Sequence, residues 1–135
     1  MASASTVSAG QQVSVNVVVG AAPTSPADAA QVYLDFDASV IQVVSLTSGA
    51  ALSQVLQAEF DNSRGRVNYA AGTLEDSVEA PFTLVTVNFR AAAATGQGGT
   101  VIDFAPLAPP RQTKVAVDVG KNVTGNLTPV RLVIQ

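Results

Sequence analysis

The chain has 135 residues, a formal net charge of −3 and only 13% charged residues, so it is predicted to form a single domain over residues 1–135. It contains no cysteine and no histidine, which excludes disulfides, zinc thiolates, thiol nucleophiles and a histidine general base. Its lysines and arginines number seven in total and are scattered, so no nucleic-acid partner is expected.

The first half of the sequence consists of short runs in which apolar and polar residues alternate, as they do in strands with one buried face. Such runs occur at residues 13–19, 32–36 and 40–47. Residues 50–60 fit either a helical turn or a strand. Residues 62–65 read Asn-Ser-Arg-Gly, a turn signal, and a further strand is predicted at 66–71, so a hairpin is expected here.

The second half repeats this pattern after an acidic loop at residues 72–80. Strands are predicted at residues 82–92, 100–104, 115–119 and 130–134, with a glycine-rich turn at 95–99 and several prolines between them. No segment predicts a helix with similar strength. The sequence therefore predicts an all-β domain, a β-sandwich of about nine strands with jelly-roll or Greek-key connections.

Two aspartates, Asp35 and Asp37, stand where one alternating run ends and the next begins. An aspartate side chain can accept a hydrogen bond from the amide two residues on, so Asp37 is predicted to initiate a tight turn. A metal ligand or a partner contact is the alternative. Calcium takes about six to eight oxygen ligands, and two carboxylates supply too few.

Residues 73–79 hold three more carboxylates but lack the ligand spacing of an EF-hand. We interpret them as a solvated acidic loop, with a calcium site as the open alternative, and assign no metal ligand. Carboxylate pairs can also serve as a glycosidase acid and base, but nothing in this sequence marks one pair. Without histidine or a G-x-S-x-G motif a serine hydrolase is not expected. We predict no catalytic residue and no cofactor.

The order of the segments carries a family resemblance over nearly the whole chain. Residues 31–44 read QVYLDFDASVIQVV, 60–67 read FDNSRGRV, 84–91 read LVTVNFRA and 98–104 read GGTVIDF. This ordered set resembles the cohesin modules. Ala38 stands where the family's turn carries proline, which leaves the turn less rigidly set.

The resemblance implies that the chain binds a protein and has no catalytic activity. Cohesins hold a dockerin, a small calcium-loaded helical module, on one face of a sheet. The residues that the resemblance and the alternation place on that face are Gln31, Tyr33, Asp35, Asn68 and Tyr69, with Glu75 and Asp76 at its edge. Because Val67 and Tyr69 share a face, Tyr69 could instead be core, with Asn68 as the contact.

One position departs from the family on this face. In cohesins an Asn and an Asp ahead of the apolar run hydrogen-bond the partner, and the matching positions here are Ala29 and Gln31. Gln31 keeps an amide and Ala29 keeps no polar group. The resemblance thus allows a divergent dockerin-like partner, bound by a monomer.

Two other functions remain open at this stage. A carbohydrate-binding module would stack sugars on exposed aromatic rings, but tryptophan is absent and Phe36 and Phe60 are expected in the core, while Tyr33 is expected on the outer face. A surface or filament subunit would join its copies by strand addition. The last predicted strand, 130–134, pairs within its own sheet or is donated to a neighbour.

The low charge and the neutral polar residues are typical of exported domains. We therefore expect a secreted or cell-surface protein. No apolar run is long enough to cross a bilayer, so membrane insertion is not expected.

Overall fold

The computed structural model describes residues 6–19, 29–50, 52, 54–73, 82–105, 113–117, 121–122 and 130–135. Within these residues the chain forms eleven strands and no helix. The strands are β1 (Thr6–Val7), β2 (Gln12–Val19), β3 (Ala29–Asp35), β4 (Ile41–Ser48), β5 (Gln54–Asp61), β6 (Arg66–Gly72), β7 (Phe82–Ala91), β8 (Thr100–Phe104), β9 (Lys114–Val117), β10 (Lys121–Asn122) and β11 (Val130–Ile134). Strands β1 and β10 have two residues each, which leaves nine longer strands, and the predicted all-β class is confirmed.

The strands form two sheets. The large sheet has the order β1-β11-β8-β3-β6-β5, with β9 also paired to β3 and β10 paired to β9, and the small sheet has the order β2-β7-β4. The chain crosses repeatedly between the sheets, since β2, β4 and β7 lie in the small sheet and the strands between and after them lie in the large one. These crossovers are the jelly-roll connectivity that the sequence predicts.

The core lies between the sheets and is built from alternate residues of each strand. In β3, Ala30, Val32 and Leu34 are buried, while Gln31, Tyr33 and Asp35 are only partly so. The central strand of the small sheet, β7, buries Val85, Val87 and Phe89. The described part of the chain contains no helix long and apolar enough to cross a membrane.

The turn at Asp37 forms as predicted. The backbone N–H of Ser39 donates to Asp37 Oδ1 over 3.0 Å, and the Ser39 hydroxyl donates to the same oxygen. These hydrogen bonds lower the pKa of the Asp37 carboxyl from its usual value, because they favour the charged form. Asp37 therefore sets the direction in which the chain leaves β3 and enters β4.

The side chain of Asn62 joins the hairpin of β5 and β6 to the small sheet. Its Oδ1 accepts from the N–H of Val43 over 2.8 Å and its Nδ2 donates to the Val43 carbonyl over 3.0 Å. Val43 lies in β4, at a register shift between β4 and β7. Strand β4 is at the edge of the small sheet, and the side-chain amide of Asn62 hydrogen-bonds the backbone of Val43 as a neighbouring strand would.

We expect Asn62→Ala to lower the free energy of unfolding by about 2 kcal/mol, because it leaves a partly buried N–H and C=O of Val43 without partners. The urea midpoints of the two proteins would measure the loss. Ser63→Ala, an exposed position in the same turn, serves as the control and should change stability by no more than about 0.5 kcal/mol. Equal midpoints for all three proteins would contradict the bridging role.

Candidate functional site

The candidate site is the outer face of the large sheet, formed by the outward residues of three neighbouring strands. The register pairs Tyr33 with Asn68 and Gln31 with Ala70 between β3 and β6. It pairs Asn68 with Glu59 and Ala70 with Gln57 between β6 and β5. Residues that are paired across strands lie on the same side of a sheet. The outer face therefore comprises Gln31, Tyr33, Asp35, Gln57, Glu59, Asp61, Arg66, Asn68 and Ala70.

Tyr33 is held in place through its backbone. Its N–H donates to the Thr113 hydroxyl over 3.2 Å, and its carbonyl accepts from the Ala105 N–H over 2.8 Å. Strand β3 pairs with β9 at residues 29–31 and with β8 at residues 34–35, so these two hydrogen bonds satisfy the backbone of Tyr33 in the gap between them. The backbone of Tyr33 is thus fixed by the residue that follows β8 and the residue that precedes β9.

A chain of side-chain hydrogen bonds crosses the outer face. The Tyr33 hydroxyl donates to Gln57 Oε1 over 3.3 Å, and Gln57 Nε2 donates to Glu59 Oε1 over 2.5 Å. Strand β6 lies between Tyr33 and Gln57, and its Ala70 is small enough to leave room for the contact. The three side chains are therefore oriented before any partner binds.

Charged residues concentrate at the hairpin end of the face. Arg66 is in register with Asp61 on β5 and with Asp35 on β3, and Arg64 Nε lies 3.9 Å from Asp61 Oδ2. A shallow depression of about 160 Å³ opens here, lined by Glu59, Phe60, Asp61, Arg64, Arg66 and Asn68. This end offers carboxylates and guanidinium groups side by side.

Asp61 also shapes the turn beside it. Its Oδ1 accepts from the N–H of Ser63 over 2.8 Å and from the N–H of Arg64 over 3.2 Å. These two hydrogen bonds lower the pKa of the Asp61 carboxyl, and the charges of Arg64 and Arg66 act in the same direction. The carboxylate therefore stays ionised in mildly acidic solution.

The structure brings four of the predicted contact residues together. Gln31, Tyr33, Asp35 and Asn68 all lie partly exposed on the outer face, and their role in binding stays a prediction. Glu75 and Asp76 lie outside the described residues, as does most of the loop considered for calcium. Among the described residues, no three acidic side chains come together in a way that could hold a metal ion.

The predicted outward orientation of Tyr69 is wrong. Its side chain is fully buried, as are its neighbours on the same face of β6, Val67 and Ala71. Strand alternation places these three residues toward the small sheet and Asn68 outward. Asn68 is therefore the residue of this pair that lies on the outer face.

Burial leaves the Tyr69 hydroxyl without a hydrogen-bond partner among the described residues. We expect Tyr69→Phe to raise the free energy of unfolding by about 1 kcal/mol, because a buried hydroxyl that gains no hydrogen bond is costly to desolvate. Tyr33→Phe removes a hydroxyl that has Gln57 as its partner and should not stabilise the protein. Thermal denaturation of both variants measures whether each change raises or lowers stability. A lower Tm for Tyr69→Phe would contradict the conclusion that the Tyr69 hydroxyl lacks a hydrogen-bond partner.

The sequence prediction also missed part of this region. Phe60 was expected in the core, yet 42% of it is exposed, and Val55 and Leu56 beside it on β5 are exposed as well. Strand β5 is the last strand of the large sheet, and its register with β6 shifts at Leu56. The alternation of apolar and polar residues does not reveal that a strand lies at the edge of a sheet. No signal in the sequence therefore indicated that these side chains are exposed.

Comparisons with known proteins agree with the two-sheet fold. The family model of the cohesin domain matches residues 2–108. A search of curated proteins found no match to the sequence. Solved structures share the fold at low sequence identity, and one of them is a type II cohesin domain from the cellulosome of Acetivibrio cellulolyticus. That domain is 16% identical, with a TM-score of 0.79 over 98% of this chain and 91% of the other.

Two further structures extend the similarity. The third cohesin of ScaC from Acetivibrio cellulolyticus, solved in complex with the ScaB dockerin, is 16% identical, with a TM-score of 0.77 over 95% of this chain and 93% of the other. A non-cellulosomal cohesin from the archaeon Archaeoglobus fulgidus is 12% identical, with a TM-score of 0.76 over 99% and 88%. The two-sheet fold and the family match lead to one conclusion: the chain belongs to the cohesin family.

Proposed function

We propose that this chain is a non-catalytic receptor that binds a dockerin-type protein module on the outer face. The observation that supports this most directly is the ordered polar surface on β3, β5 and β6, in a chain of the cohesin family. One similar structure, the ScaC cohesin, was solved with a dockerin bound. The outer face occupies the strands on which the family resemblance places the partner.

The mechanism would rest on a surface that is formed before binding. Tyr33, Gln57 and Glu59 are linked by hydrogen bonds, so few side-chain rotations are lost when a partner docks. The amide of Gln31 and the side chain of Asn68 would offer polar contacts beside the Tyr33 ring. Polar groups around a desolvated centre are the usual composition of a protein interface.

The partner we propose is a helical module loaded with calcium, and the setting is an assembly outside the cell or at its surface. Calcium would be bound by the partner, because the family resemblance implies that a dockerin is itself loaded with calcium. Binding should therefore fail in a chelator even though this protein remains folded. The receptor is expected to act as a monomer.

Isothermal titration calorimetry against a panel of dockerins tests the proposal, with calcium and then with chelator. The panel includes the ScaB dockerin of the solved complex. We expect at least one dockerin to bind in calcium and none in chelator, with circular dichroism of the receptor unchanged. Failure of every dockerin in calcium would overturn the proposal.

A matched pair of variants then locates the binding surface. Gln31→Ala should weaken binding about tenfold, the cost of one buried polar contact. Gln12→Ala makes the same change on an exposed residue of β2 in the small sheet and should leave the affinity unchanged. Equal affinities for both variants would place the partner elsewhere.

A further inference from the structure

Strand β5 is the last strand of the large sheet, and one of its two edges has no paired strand among the described residues. Proteins commonly use lysine, proline, other charges or a bulge to keep such an edge from pairing with another chain. The sequence of β5, QVLQAEFD, contains no lysine, arginine or proline. It has only a register shift at Leu56 and two acidic residues, Glu59 and Asp61. The edge is therefore open to the addition of a further strand.

The buried core ends between β6 and β5. The inward residues Val67 and Tyr69 of β6 are fully buried. Their register partners on β5, Phe60 and Ala58, point to the same side of the sheet but are exposed, as is Val55. The small sheet thus leaves the inward side of β5 uncovered. A strand added beside β5 would place its own inward side chains against this row.

An antiparallel second copy of β5 complements this edge. With a two-fold axis at Ala58, Gln57 of each copy lies opposite Glu59 of the other, and Leu56 lies opposite Phe60. Gln57 Nε2 already donates to Glu59 Oε1 within the chain, so the same amide–carboxylate pair can form between copies. Leu56, the most exposed of the large apolar side chains at 73%, meets an exposed aromatic ring.

The neighbouring registers are less favourable. An axis at Glu59 would set the two Glu59 carboxylates opposite each other, and an axis at Phe60 would set Glu59 opposite Asp61. Like charges that lie directly opposite destabilise a strand pair. An axis at Gln57 would set Phe60 opposite the polar Gln54. The charges and the apolar residues of β5 therefore favour the same register.

We propose that two copies of this chain pair through β5, antiparallel about a two-fold axis at Ala58, and join their large sheets into one. This inference does not depend on the proposed function. A two-fold axis perpendicular to the sheet keeps both outer faces on the same side. The hydrogen bond from Tyr33 is retained, because it uses Gln57 Oε1. Each copy keeps its own outer face and remains the unit that binds a partner.

Sedimentation equilibrium up to millimolar concentration tests the dimer. We expect the dimer fraction to grow with concentration in the original protein. Leu56→Lys adds the charge that protected edges carry, and should raise the dissociation constant of the dimer about tenfold or more. Val18→Lys makes the same change at an exposed valine of β2 in the small sheet and should leave the constant unchanged. Circular dichroism verifies that both variants are folded.

Two results would overturn the dimer. One is an equal effect of Leu56→Lys and Val18→Lys, which would place the contact elsewhere. The other is a monomer at every concentration. If the amides of β5 in that monomer become protected from hydrogen exchange only when a dockerin is added, the partner covers this edge instead of a second copy.

Single cysteines test the register, since the chain has no cysteine of its own. Ala58→Cys places two thiols on the axis, where opposite Cβ atoms are about 5 Å apart, and a short bis-maleimide should link the copies. Gln54→Cys is the control, because it is exposed at the start of the same strand and its two thiols would lie about 27 Å apart. Linkage of Gln54→Cys as fast as Ala58→Cys, or of neither variant, would overturn the proposed pairing.

Discussion

Gly65→Ala is expected to lower the free energy of unfolding by about 3 kcal/mol or more, which corresponds to a fall in Tm of about 10 °C. Gly65 has a φ angle of 72°, a backbone conformation that disfavours residues with a Cβ atom. A Cβ at this position would also lie 1.9 Å from the carbonyl oxygen of Phe36. The backbone of β3 or of the hairpin would have to move to accommodate it.

A matched glycine separates the cost of the backbone conformation from the cost of the close approach to Phe36. Gly96 has a similar φ angle of 77°, but a Cβ added there would have no atom within 4 Å. Gly96→Ala should therefore cost only the backbone strain, about 1 kcal/mol. Differential scanning calorimetry of both variants measures the difference, and an equal fall in Tm would contradict the close approach at Phe36.

Gly65→Ala should also disturb the outer face. The Gly65 carbonyl accepts from the Phe36 N–H over 2.9 Å, and the Gly65 N–H donates to the Asp61 carbonyl over 2.9 Å. These hydrogen bonds fix the hairpin of β5 and β6 against the end of β3. Because the outer face spans these three strands, a displaced hairpin should weaken partner binding as well as stability.

Phe89→Ala is expected to cost about 4 kcal/mol, the usual loss when a buried aromatic ring is replaced by alanine. The ring is fully buried and meets the ring of Phe36 edge to face, with centroids 5.3 Å apart and an interplanar angle of 81°. Phe36 follows β3 and Phe89 lies in β7, so the pair joins the two sheets. Such pairs contribute beyond the area they bury.

The control for Phe89→Ala is Phe89→Leu, which keeps most of the volume and loses the ring. It should cost about 1.5 kcal/mol. Urea denaturation followed by circular dichroism gives both values. A loss below about 1.5 kcal/mol for Phe89→Ala would mean that the core closes around the missing ring, contrary to its place between the sheets.

Much of the fold can be predicted from the alternation of apolar and polar residues, because successive side chains of a strand point to opposite faces of the sheet. The buried Val32 and Leu34 of β3 and Val87 and Phe89 of β7 are placed correctly on that basis. The turn at Asp37 follows from local chemistry, since its carboxylate needs only the amide of Ser39. Both predictions concern interactions within a strand or within a few residues.

Errors arise where a residue's environment depends on distant strands. Residues 50–60 fit either a helical turn or a strand, and the pairing of β5 with β6 selects the strand from Gln54 onward. Phe60 has the right phase for the core, but the position of β5 at the sheet edge leaves it exposed. Nor could the sequence determine that Tyr69 is buried, because either it or Asn68 could have faced outward.

The most direct test of the central claim is to map the bound surface by NMR. A ¹⁵N-labelled sample of the receptor is titrated with a dockerin that binds it, in calcium, and the shifted amide signals are assigned. We expect the shifted amides to lie on β3, β5 and β6, including Gln31, Tyr33, Leu56 and Gln57, while β2, β4 and β7 are unchanged. Shifts confined to the small sheet would contradict the account.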